Sequence, residues 1–107
     1  MSYDISLMID TGGPGPVEVG EYWNYTSNCA QMWRAAGADL AEFDGKPTAE
    51  CIPILAAAIT ELASNPDHYR HMDPPNGWGS YETLGPALER LLDDMKRHPK
   101  TIVRVSR

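Results

Sequence analysis

Cations are scarce in the first two-thirds of this chain. Residues 1–67 carry ten acids against only Arg34 and Lys46. Residues 68–107 carry five acids against seven bases, and the net charge over all 107 residues is −6. Nucleic-acid binding rests on cations that neutralise phosphates, so no nucleic-acid partner is expected. Cysteine is nearly absent too: Cys29 and Cys51 are the only two, which excludes a disulfide framework. Met1-Ser2-Tyr3-Asp4 opens without the basic stretch of a secretory leader. The expected location is therefore the cytoplasm, with both thiols reduced. Long apolar runs are missing. The longest, Cys51 to Ile59, contains Pro53 and falls far short of the ~20 residues a membrane helix needs, so no membrane association is expected. There is no phosphate-binding glycine loop and no serine elbow, and no cofactor is implied.

What is present reads as one domain of ordinary globular composition, 42% hydrophobic and 22% charged. A chain of this length buries roughly two-thirds of its unfolded surface, enough for one core without metals or disulfides. Tyr3, Ile5, Leu7 and Ile9 alternate with Asp4, Ser6, Met8 and Asp10, which predicts a half-buried strand. Three glycines and two prolines in Thr11–Pro16 end it. Val17 and Val19 around Glu18 predict a short second strand, making a hairpin from residue 3 to about 20. Asn28 is expected to cap a short helix stopped by Gly37, and Asp39–Asp44 another helical turn. Thr48 is expected to cap a longer helix with its apolar stripe at Ile52, Leu55, Ala56, Ile59, Leu62 and Ala63, ending at Asn65-Pro66. A second stripe, Leu84, Leu88, Leu91, Leu92 and Met95, follows a Ser80 cap. Gly85-Pro86 interrupts its first turns and places the helix start at Pro86. The β-branched run Thr101–Val105 predicts a last strand. The expected fold is α+β: a small, mostly antiparallel three-stranded sheet, formed by the N-terminal hairpin and the C-terminal strand, packed against two main helices.

Several residues could carry chemistry. Asp10-Thr11-Gly12 after an apolar strand has the form of an aspartic-protease triplet, but the helix content and the lack of a second glycine-containing signature point to a strand end and a turn. His68 and His71 share a helical face beside Asp67 and Asp73, a candidate metal site without the usual zinc spacings. Cys29 beside a helix start is a candidate nucleophile. More informative are two polar segments rich in large rings, each just before a helical pattern: Asn24-Tyr25-Thr26-Ser27-Asn28-Cys29 and Asn76-Gly77-Trp78-Gly79-Ser80-Tyr81. Amides, hydroxyls and aromatic rings together suit recognition of a protein hot spot or of a small polar or aromatic ligand. They serve equally as caps, turns and plugs.

With Met32-Trp33, Asn65-Pro66 and the ending His98-Pro99 to Ser106, these segments resemble a set of small uncharacterised proteins of actinobacteria, other bacteria and bacteriophages. The resemblance spans nearly the whole chain, most specifically Asn24–Asn28 with Met32-Trp33, and Asn76–Glu82. It transfers no catalytic residue. It implies a phage- or bacteria-encoded accessory protein of the host-cell cytoplasm that binds a host or phage protein or a small molecule. The expectation is a non-enzymatic binding module in which Tyr25, Thr26, Asn28, Asn76, Trp78 and Tyr81 form one surface. A small hydrolytic or metal-dependent enzyme using Asp10, Cys29 or His68 and His71 is the alternative. Unpaired edges of a three-stranded sheet leave homodimerisation open.

Overall fold

The computed structural model describes residues 2–107 and shows the expected α+β architecture. Strand β1 (Ser2–Ile9) lies between β2 (Val17–Thr26) and β3 (Ile102–Ser106), antiparallel to both. Between β2 and β3 come a 3-10 turn at Ser27–Cys29, α1 (Ala30–Ala35), a 3-10 turn at Leu40–Phe43, α2 (Thr48–Ser64), α3 (Pro66–Arg70) and α4 (Tyr81–Arg97). Side chains alternate across a strand. Tyr3, Ile5 and Leu7 of β1, Trp23 of β2 and Val103 of β3 therefore point into one core with the expected stripe of α4 and with Cys51, Leu55, Ala58 and Leu62 of α2, whereas Ile52, Ala56 and Ile59 only flank that core and Ala63 is exposed. Asp4, Ser6 and Met8 point to the opposite face, which lies open to solvent at Tyr22, Ile102 and Arg104. Among the described residues, no helix is long and apolar enough to cross a membrane.

The second strand is longer than its first residues suggest. It runs ten residues and carries Trp23 and Tyr25 inward and Tyr22 and Asn24 outward. Half of the first aromatic segment is thus strand, not loop. The alternation was hidden by a bulge: β1 advances from Ile5 to Leu7 while β2 retreats from Trp23 to Val19. Gly20 sits in the bulge at φ +74°, and a Cβ there would lie 2.5 Å from Asp94 Oδ1. The same carboxylate accepts the Glu21 N–H at 3.0 Å. Asp94 is 4% exposed, so α4 holds the kink in place with a buried acceptor, and Trp23 Nε1 adds a bond to Ala87 O at 2.8 Å.

Three helix starts differ from expectation. The 3-10 turn is capped by Thr26, whose hydroxyl accepts from Asn28 N, while the Asn28 amide folds back onto Thr26 Oγ1 at 2.9 Å. Thr48 is the first residue of α2 and does not cap it. Its hydroxyl is buried against Thr101 Oγ1 at 2.7 Å, joining α2 to the approach of β3. Helix α4 begins at Tyr81, not Pro86. Ser80 and Thr83 form a reciprocal capping box, and Asp73 Oδ1 accepts the Tyr81 N–H at 2.6 Å. That start is satisfied strongly enough for Pro86 to sit inside the helix. The β3 edge is not open. Gly45 N donates to Val103 O at 2.8 Å, Val103 N to Lys46 O at 2.9 Å, and Val105 N to Asp44 Oδ1 at 2.8 Å.

Candidate functional site

The two aromatic segments meet. Tyr25, near the end of β2, stacks on Trp23 with ring centroids 6.0 Å apart and meets the edge of Trp33 at 6.4 Å. Its hydroxyl reaches the second segment, 2.6 Å from Thr83 Oγ1, and accepts from Ser80 N at 3.4 Å. Burial raises the Tyr25 pKa above the ordinary phenol value, so the hydroxyl remains a neutral cross-link. The backbones approach closely at Gly79. A Cβ there would lie 2.5 Å from Thr26 Cγ2 and 2.9 Å from Cys29 Sγ. Tyr25 and Thr26 are therefore brought together with Gly79, Ser80 and Thr83 in one packed junction. Thr83 is the member of this junction that the sequence reading missed. Its signal was the capping-box spacing from Ser80, which is filled by Thr where Glu or Gln is usual.

The loop above the junction is held along its length. Gly77 N donates to Pro74 O at 3.3 Å, and Trp78 N donates to Asn76 Oδ1 at 2.9 Å. The positive φ of Gly77 (+75°) and Gly79 (+83°) on either side of Trp78 turns the chain so that the indole faces outward. Trp78 is 66% exposed. Asn28 and Asn76 are also exposed, each with its amide engaged in its own turn.

Tyr81 goes elsewhere. Its hydroxyl donates to Leu62 O at 2.7 Å, and the Arg70 guanidinium lies 5.1 Å from its ring centroid. It braces α4 against α2 and α3 and helps line a hollow of about 190 Å³ with Ile59, Leu62 and Pro86. The six candidate residues thus divide by position. Tyr25, Thr26 and Tyr81 are tied into the fold, whereas Asn28, Asn76 and above all Trp78 face solvent.

The candidates for chemistry do not converge. Asp10 is exposed, and its Oδ1 accepts the Gly12 N–H at 2.9 Å, the geometry of a turn. Cys29 is fully buried, and burial pushes its thiol pKa up, opposite to the lowering that a nucleophile at a helix start would need. His68 packs edge-on against Tyr69. Among the described residues, no group of three or more His, Cys, Asp or Glu is placed to hold a metal ion. Comparison with protein-family models, curated proteins and solved structures found no match.

Proposed function

We propose that this chain is a non-catalytic binding module, an accessory protein that holds a protein partner through Trp78 and the exposed amides near it. One observation carries the reading: a tryptophan two-thirds open to water stands on a loop tied down on both sides. A tryptophan side chain offers about 150–250 Å² of surface. Covering the exposed part would contribute about 3 kcal/mol at ~25 cal/mol per Å². Because the loop is already ordered, little of that gain is spent on fixing it. Tryptophan is also among the residues most enriched at interface hot spots. A projecting indole favours a protein partner over a small ligand, whose sites are concave. The resemblance to bacterial and phage proteins adds the expectation of a host or phage protein as that partner.

The test is quantitative affinity capture from bacterial lysate with the wild-type chain and with Trp78→Ala side by side. The reading predicts at least one protein retained by the wild type and depleted roughly tenfold or more on the variant. Identical captured sets from two equally folded baits would overturn it.

A further inference from the structure

The geometry points to a second site on the uncovered face of the sheet, suited to a small zwitterion with an apolar side chain, in chemical class an apolar α-amino acid. It lies at the Met8 end of β1, opposite the Ser2–Tyr3 end that pairs with Tyr25 and Thr26 beneath the Trp78 loop. Met8 and Ile102 are direct partners across β1 and β3, so both side chains stand on the same outer face. Ile102 is 43% exposed. Together they floor a trough of about 480 Å³, walled on one side by the glycine-proline loop at Gly13, Gly15 and Pro16 and on the other by the turn at Asp44-Gly45. That volume is in the range of small-molecule sites, roughly 300–1,000 Å³.

Both signs of charge line this trough. Arg104 follows Ile102 by two residues and shares its face, and Asp10 and Asp44 stand in the walls. Each carboxylate is fixed by one backbone bond, Asp10 Oδ1 by Gly12 N and Asp44 Oδ1 by Val105 N. Neither is within ion-pairing distance of Arg104, whose backbone pairs with Ser6 in the ladder but whose guanidinium has no salt-bridge or hydrogen-bond partner among the described residues. The guanidinium is a planar fork matched to a carboxylate, and the free oxygens of the aspartates are acceptors for an ammonium group. A ligand carrying both charges on an apolar body satisfies all three features at once. A plain hydrophobe leaves the charges unused, and a plain anion meets two carboxylates. This site is independent of the Trp78 surface.

The experiment is an amide-resolved NMR titration of the full chain with L-phenylalanine, run beside phenethylamine, which lacks the carboxylate, and 3-phenylpropionate, which lacks the ammonium. L-Phenylalanine is expected to shift the amides of Met8, Gly12, Gly13, Gly45, Ile102 and Arg104. Each analogue should bind roughly tenfold or more weakly, having lost one charge-assisted contact. Arg104→Gln should weaken L-phenylalanine by a similar factor and leave phenethylamine unchanged. No shift up to about 10 mM ligand, equal binding of the three compounds, or shifts centred on the Trp78 loop would each overturn the assignment.

Discussion

Gly77→Ala and Gly79→Ala form a matched pair that tests whether the two aromatic segments are joined as described. Both glycines have φ near +80°, so an alanine at either position is held in the left-handed region at about 1 kcal/mol. They differ in what a methyl group would meet. At Gly77 nothing lies within 4 Å, whereas at Gly79 the methyl would fall 2.5 Å from Thr26 Cγ2, 2.9 Å from Cys29 Sγ and 3.2 Å from Tyr25 Oη. Cys29 is fully buried and cannot swing aside. Overpacking of this kind costs about 1–3 kcal/mol more. The expected losses are therefore about 1 kcal/mol for Gly77→Ala and about 3 kcal/mol for Gly79→Ala. For a domain of this size those correspond to falls in Tm of roughly 4 °C and 12 °C. Urea unfolding followed by tryptophan fluorescence and by circular dichroism would read both, with coincident transitions as the check on two-state behaviour. Equal losses at the two positions would refute the close approach of residue 79 to the end of β2, and with it the single junction.

Three further outcomes follow from buried groups. Asp94→Ala should cost about 1–3 kcal/mol in urea unfolding, because it leaves the Glu21 N–H without its acceptor. The added penalty of Gly20→Ala should shrink in that background, and strictly additive losses would refute the contact. Tyr69 donates to Glu61 Oε2 at 2.7 Å, and its pKa is pushed up to about 12, first by burial and then by that bond. The folded chain thus keeps a proton that the unfolded chain releases near pH 10. The stabilisation is whole below pH 10 and fades as pH rises through about 12. Stability curves of wild type and Tyr69→Phe should converge there, and parallel curves would contradict the assignment. Cys29 and Cys51 are fully buried with their pKa values raised by that burial, so both should resist a thiol reagent in the native state and react on unfolding. Rapid native labelling of Cys29 would revive it as a nucleophile.

The parts of this fold that were legible in the sequence are those written in local periods. Period two along β1, the stripe of α4 and the Ser80 cap all lie within a few residues of the positions they predict. The β-branched run Thr101–Val105 was legible as a third strand joining the N-terminal hairpin, but its place beside β1, in the order β2-β1-β3, was not. Bonds between residues far apart in sequence were invisible. The β2 bulge depends on Asp94, 73 residues from Glu21, and without that partner Gly20 reads as a strand end. Thr48 has the chemistry of a cap, but tertiary contact with Thr101, 53 residues on, uses its hydroxyl. The same distance hid the trough, because Met8, Ile102 and Arg104 become neighbours only through the register of β1 with β3.

The aromatic segments show why a polar-aromatic stretch is ambiguous until it is folded. Within them and beside them, Trp23 bonds to Ala87 O, Tyr25 to Thr83, and Tyr81 to Leu62 O. Each of these rings lies mostly inside and spends its polar group on the fold. Trp33 is buried with its indole N–H unpaired, and among the described residues Trp78 alone of these rings has neither a polar partner in the fold nor burial. The hydrophobic effect would draw an indole inward, and the positive φ of the glycines beside it costs little only because they are glycines. A loop needed merely to link α3 to α4 could end in any small polar residue. This one uses two glycines, an Asn76 turn and a tight seat on Thr26 and Cys29, and it leaves its largest side chain in water. The bonds beneath Trp78 hold the loop and its glycines turn the indole outward, but no contact within the fold needs so large an apolar ring there, which is why the proposed interface centres on Trp78 and not on Tyr25 or Tyr81.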